Sequence, residues 1–205
     1  MGQVRKAYQN RQNAKNSGAI KMDCAVCNSK ICRKADACGI EKFDIDEIKS
    51  EYVKEENQKI IKAASALVDD GRAGSLSRLN EIIEFVKTMS YSKVGLAYCY
   101  GMEKDARAVR DIFRNEGIKL STVSCTVGGI PQNAVNLESC NYNVSCNPLG
   151  QAKQLELENA EFVITMGICL GHDILLQRNL KVDFTTFVVK DRVFSHKPLA
   201  AVSNN

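Results

Sequence analysis

From residue 93 onward, short apolar runs alternate with helical patterns, and that alternation admits few folds. Lys93–Tyr98 reads as a strand and Glu103–Asn115 as a helix, with Ala106, Val109, Ile112 and Phe113 on one face. Ile118–Ser124 is a second strand. Asn147-Pro148 supplies an N-cap and a first-turn proline for another helix. Phe162–Met166 and Phe184–Val189 complete the strand set. Strands that alternate with helices pair in parallel, because each crossover returns the chain to the same edge. The expectation is therefore an α/β fold: a parallel sheet with helices on both faces, a Rossmann-like three-layer arrangement. At 205 residues the chain is long enough for one good core and a small appendage.

The segments ahead of this domain differ in kind. Residues 1–22 read as a mobile basic arm, since the first 21 hold Arg5, Lys6, Arg11, Lys15 and Lys21 and no acid. Residues 23–42 are a cysteine-rich knuckle, 43–90 a helical segment, and 91–205 the α/β domain. One helix is expected from Asp44, with Glu47 as capping-box partner, to Asp69-Asp70-Gly71. A second is expected from Ser77 to Met89, with Leu79, Ile82, Ile83 and Val86 on one face.

The knuckle places Cys24, Cys27, Cys32 and Cys38 in the spacing C-x2-C-x4-C-x5-C. Thiolates packed this densely in a polar segment serve to hold a metal or an iron–sulfur cluster. The segment has little apolar content, so the metal is what folds it. Structural zinc favours two close pairs separated by a longer loop, whereas closely spaced single cysteines favour [4Fe–4S] ligation. Zinc is the alternative at this site.

A second set comes from distant positions. Cys99, Cys125 and Cys169 each follow a strand, and Cys146 immediately precedes the helix opened by Asn147-Pro148. In an open α/β sheet the carboxyl ends of the strands form the ligand edge, so these four are expected to meet there as a second centre. Cys140 has no partner in this pattern. The motif Gly167-Ile-Cys169-Leu-Gly-His172-Asp173 adds an imidazole and a carboxylate at a helix start. His172 and Asp173 are the candidate catalytic pair for proton transfer, with Cys169 as ligand or nucleophile. The bland reading makes Asp173 an N-cap. Lys190-Asp191-Arg192 and His196-Lys197 could offer positive charge to an anionic centre, although for the lysines a solvated surface face is the favoured reading.

The charge balance excludes some functions. A net charge of +4 without a basic stripe argues against a dedicated nucleic-acid binder. The longest apolar runs are strand-sized, so no membrane span is expected. No secretory leader is visible, and nine cysteines, an odd number, suit metal ligation in a reducing cytoplasm. G-x-G-x-x-G and Walker motifs are missing. A redox partner or a small-molecule substrate is the expected company, and the oligomeric state is left open.

On these residues the chain resembles an uncharacterised bacterial and archaeal family described as a cysteine-rich, metal-binding domain of unknown function. The resemblance covers about residues 22–201. It rests on the knuckle, Ala97-Tyr98-Cys99, Ser124-Cys125-Thr126-Val127-Gly128, Cys146-Asn147-Pro148-Leu149-Gly150-Gln151-Ala152, Gly167–Asp173 and Val189-Lys190-Asp191-Arg192-Val193. It implies metal binding and names no reaction. The class expected is an iron–sulfur redox protein or enzyme with one or two [4Fe–4S] clusters. The alternatives are a zinc-stabilised α/β protein with a reactive cysteine, and a non-catalytic metal or cluster carrier.

Overall fold

A computed structural model describes residues 23–38 and 42–203. The expected arm of residues 1–22 lies outside the described residues. The chain divides into two compact units, residues 1–57 and 58–205.

In the first unit, a 3-10 turn spans Ile31–Lys34 and helix α1 spans Ile45–Tyr52. The Asp44 carboxylate accepts from the backbone N–H groups of Asp46 and Glu47 and caps α1. The single long helix expected over 44–70 is in fact two, because α1 stops at Tyr52 and α2 spans Glu55–Val68. The break has local causes. The Asn57 side chain donates to the Glu51 carbonyl, satisfying an acceptor at the end of α1. Glu55 and Glu56 then place negative charge in the first turn of α2.

In the second unit, α3 spans Arg78–Met89, with Ser77 as its N-cap. The sheet follows: β1 Val94–Tyr98, a 3-10 turn Tyr100–Met102, α4 Glu103–Asn115 and β2 Leu120–Ser124. Next come a short α5 Gln132–Val135, α6 Pro148–Leu157, β3 Phe162–Met166, α7 His172–Asn179, β4 Asp183–Val188 and α8 Ala200–Ser203. All pairings are parallel in the order β2-β1-β3-β4. Expected and observed strands differ by at most two residues at an end. The α/β expectation holds.

Alternation along the strands sorts two cores. Val94, Leu96, Phe162, Ile164 and Met166 pack with Ile82, Ile83 and Val86 of α3 and with Ala106, Val109 and Phe113 of α4. Ala97, Val123 and Val163 pack with Ala152 and Leu155 of α6 and Leu176 of α7. Helices thus cover both faces, as strands buried on two sides require. Gly95 lies under Leu155, where any Cβ would collide with the leucine side chain. Its missing side chain is what lets α6 approach β1.

This wiring fixes where a ligand can sit. The helix after β1, α4, belongs to one face, and the helix after β3, α7, belongs to the other. The connections leaving adjacent strands β1 and β3 therefore part, opening a crevice beyond their carboxyl ends.

Candidate metal centre at the carboxyl edge of the sheet

Each of the four expected rim cysteines stands on that edge. Cys99 follows the last residue of β1, and its N–H donates to the Met166 carbonyl of β3 at 3.1 Å. Cys125 follows β2, and its N–H donates to the Tyr98 carbonyl at 2.9 Å. The sheet ladder thus runs one step further and carries both sulfurs with it. Cys146 sits just before α6, where the Asn147 N–H donates to the Cys125 carbonyl at 2.6 Å. Cys169 lies in the turn between β3 and α7. That turn begins at Gly167, whose φ of +63° and closeness to the Met102 side chain leave no room for a Cβ.

The sulfurs have distinct partners. The Cys146 thiol donates to Cys125 Sγ at 3.6 Å, and the Tyr100 N–H points at the same Cys125 sulfur at 3.3 Å. Lys190 Nζ donates to Cys99 Sγ at 3.3 Å, and Arg192 Nη2 to Cys169 Sγ at 3.2 Å. Lys190 is therefore drawn to a thiol and is not merely part of a solvated face. The field links all four positions: Cys146 feels Cys169 and Cys99, Cys125 feels Cys99, and Arg192 feels Cys169, Cys99 and Cys146. Cys99 and Cys125 are only 4% and 3% exposed, while Cys146 and Cys169 are half-buried.

Burial, before all else, pushes the Cys125 thiol up to about 12, and the neighbouring thiols add to the shift. Burial likewise raises Cys146, although Arg192 and the contact with Cys125 oppose it. As bare thiols these two hold their protons at neutral pH. A cation that binds them as thiolates must displace those protons, so loading weakens as pH falls.

The support beneath the edge comes from α6. Asn147 caps this helix by accepting from the Gly150 N–H at 2.8 Å, while its Nδ2 donates to the Val127 carbonyl at 3.0 Å. Gln151 is fully buried and donates through Nε2 to the carbonyls of Tyr98 and Val123. It ties the ends of β1 and β2 just ahead of Cys99 and Cys125. Sequence reasoning named Gln151 only within the motif that carries the resemblance and gave it no role; its further signal was an amide one turn into a helix otherwise patterned for the core. After β4, His196 closes the cation-bearing loop: its N–H donates to the Asp191 carbonyl at 2.8 Å, and its Nδ1 accepts the Asp191 N–H at 3.0 Å.

The candidate pair His172 and Asp173 opens α7 as expected. The helix N-cap is Gly171, not Asp173. Asp173 Oδ1 instead accepts from the N–H groups of Gly171 and Ile174, shaping the turn that carries Cys169. His172 Nδ1 is buried and has no hydrogen-bond partner. Cys140 is exposed.

In the first unit, Cys24 and Cys32 are exposed and Cys27 and Cys38 half-buried. A contact with Ser29 Oγ at 3.5 Å, followed by backbone N–H groups, lowers the Cys27 thiol. Lys30 and Ala35 bracket the 3-10 turn in left-handed conformations, which cost L-residues energy. Among the described residues, no three His, Cys, Asp or Glu side chains form a group sized for a single ion. An apolar groove of about 280 Å³, lined by Ile60, Leu67, Phe85, Phe162 and Phe184, lies at the amino ends of the strands and shares no residue with the rim.

Residues 37–187 match the family described as "Protein of unknown function (DUF1847)". The chain belongs to the DUF1847 family. It is 40% identical over 185 residues to an uncharacterised protein of Methanocaldococcus jannaschii, covering 88% of this chain and 93% of that one. No solved structure matches it. The DUF1847 segment contains Cys38 and all four rim cysteines, and begins after Cys24, Cys27 and Cys32. Among the described residues, no helix is long and apolar enough to cross a membrane.

Proposed function

We propose that this DUF1847 protein is a cytoplasmic iron–sulfur redox protein whose four rim thiols, Cys99, Cys125, Cys146 and Cys169, hold a [4Fe–4S] cluster. Cys24, Cys27, Cys32 and Cys38 hold a second centre in the first unit. The observation that carries the reading is the grouping of four cysteines from four connections along one sheet edge, with Lys190 and Arg192 turned onto two of the sulfurs. The donor set fits the group. Thiolates are the ligands of such clusters, and two cations offset the negative charge that four thiolates bring. When bound, the cluster supplies one-electron transfer to a redox partner or a small-molecule substrate. The chain's own residues hold the sulfurs, keep water from Cys99 and Cys125, and place positive charge beside Cys99 and Cys169.

One observation favours zinc at the Cys125–Cys146 pair, although among the described residues no third His, Cys, Asp or Glu side chain joins it in a group sized for one ion. The 3.6 Å separation of Cys125 and Cys146 is near the edge of a tetrahedron built from metal–sulfur bonds of about 2.3 Å. A cubane assigns these ligands to separate irons and requires the pair to part.

Purification under argon from a host able to build clusters separates the two readings. The expected result is brown protein with iron and acid-labile sulfide in equal amounts. Cys99→Ser and Cys169→Ser should each remove the iron of one centre and leave the other. Colourless protein with stoichiometric zinc would overturn the cluster reading in favour of the second.

A further inference from the structure

The four rim sulfurs divide into two kinds of pair. Cys99 and Cys169 each face a cation, whereas Cys125 and Cys146 face each other at 3.6 Å. The backbones that carry the second pair are also tied together. The Asn147 N–H donates to the Cys125 carbonyl at 2.6 Å, and Asn147 Nδ2 donates to the Val127 carbonyl at 3.0 Å. Two thiols in contact on mutually anchored segments need little backbone movement to join.

We infer that Cys125 and Cys146 form a dithiol that, in the metal-free chain, undergoes thiol–disulfide exchange with a small-molecule disulfide and closes to an intramolecular disulfide. The inference rests on the proposed function only in that the same two thiols serve there as ligands; it holds whichever metal the rim takes. The roles follow from exposure. Cys146 is half-buried, so it is the thiol a solute disulfide reaches. Cys125 is 3% exposed and beyond the reach of a solute, but within reach of Cys146.

The step balances with oxidised glutathione as the oxidant. The Cys146 thiol gives up its proton as its sulfur attacks one sulfur of the glutathione disulfide. A Cys146–glutathione mixed disulfide forms, and one glutathione leaves as thiolate and takes up a proton. Cys125 then gives up its proton and attacks the Cys146 sulfur, helped by the Tyr100 N–H already directed at its own sulfur. The second glutathione leaves and is protonated. Two cysteine thiols become one disulfide, and one glutathione disulfide becomes two glutathione thiols. The closed disulfide removes half the rim's ligands, so oxidation and metal loading exclude one another.

The test uses the full-length chain, reduced, stripped of metal with a chelator, desalted and treated with oxidised glutathione. Remaining thiols are then alkylated and the peptides mapped by mass spectrometry. The expected result is loss of alkylation at both positions and a linked peptide pair joining residues 125 and 146, reversed by dithiothreitol. Cys125→Ser should trap Cys146 as a stable glutathione adduct, while Cys146→Ser should leave Cys125 alkylatable and unmodified once unfolded for labelling. Protein reconstituted with its metal beforehand should lose the 125–146 link. Both residues staying alkylatable in the parent chain, or each linking elsewhere, would overturn the inference. Mapping the parent needs no variant to fold. Failure to bind any metal, with the link still forming, would instead count against the proposed centre alone.

Discussion

Among the described residues, Lys190 and Arg192 form no ion pair with a carboxylate; the partner each has is a sulfur. A cation held against a thiol is worth more to a negatively charged centre than to a neutral one, and more for Lys190, whose contact with Cys99 is part-buried, than for the exposed Arg192, which water screens. In the proposed cluster, reduction would add negative charge, so both side chains would favour the reduced state. Lys190→Met and Arg192→Gln should each shift the midpoint potential to more negative values, on the order of tens of millivolts for a single partly screened charge. A redox titration followed by electron paramagnetic resonance reads the shift, with iron content measured on the same samples. Unchanged potentials at full iron occupancy would mean that the two cations serve only the loop they stand on. That loop is self-contained, since Asp191 Oδ1 accepts from the N–H groups of Val193 and Phe194 and His196 closes the turn.

Helix α6 is the element that connects packing to chemistry. Its body fills the core with Ala152 and Leu155, while its first turn reaches the backbone carbonyls beside Cys99 and Cys125 through Asn147 and Gln151. Asn147 does two jobs with one side chain. Its oxygen caps the helix and its nitrogen anchors the segment after Cys125. Asn147→Ala should lose about 1–2 kcal/mol of stability, as cap deletions do, read from the urea midpoint. Asn147→Ser should recover part of that, because a hydroxyl can cap but is too short to hold Val127 as well. If the anchor matters to the rim, the serine variant still loads less metal than the parent at equal stability. Sequence pattern revealed the cap, because Asn-Pro before an apolar helix has a strong local meaning. The anchor was hidden, because Val127 lies 20 residues earlier in the chain.

Across the whole molecule, what could be read from sequence is what repeats locally. Strand and helix periods, caps and the cysteines at strand ends are properties of neighbouring residues. The sheet order then brings the cysteines to one edge. Tertiary facts were not readable in this way: Lys190 reaching Cys99 across 91 residues, or Gln151 bridging two strands. The break between α1 and α2 was missed for the opposite reason, since the apolar pattern runs on while a side chain ends the helix. The fold assigns its two edges different work. At the amino edge, Glu161 accepts from the N–H groups of Ser92 and Lys93 and from the Ser92 hydroxyl, pinning the entry to β1 beside the Tyr91–Phe162 stack. Those backbone and hydroxyl donors hold its carboxyl below the ordinary glutamate value. A depressed carboxylate contributes stability above its unfolded value and loses it as pH falls through the folded one. Glu161→Gln should therefore lower the denaturation midpoint at neutral pH, and the gap to the parent should close as the solution is acidified below about pH 4. Metal content should stay at the parent level, because no rim residue touches this carboxylate. A variant equally stable at both pH values would show that the donors, not the charge, carry the contact; loss of metal with the mutation would show that the two edges are coupled through β1.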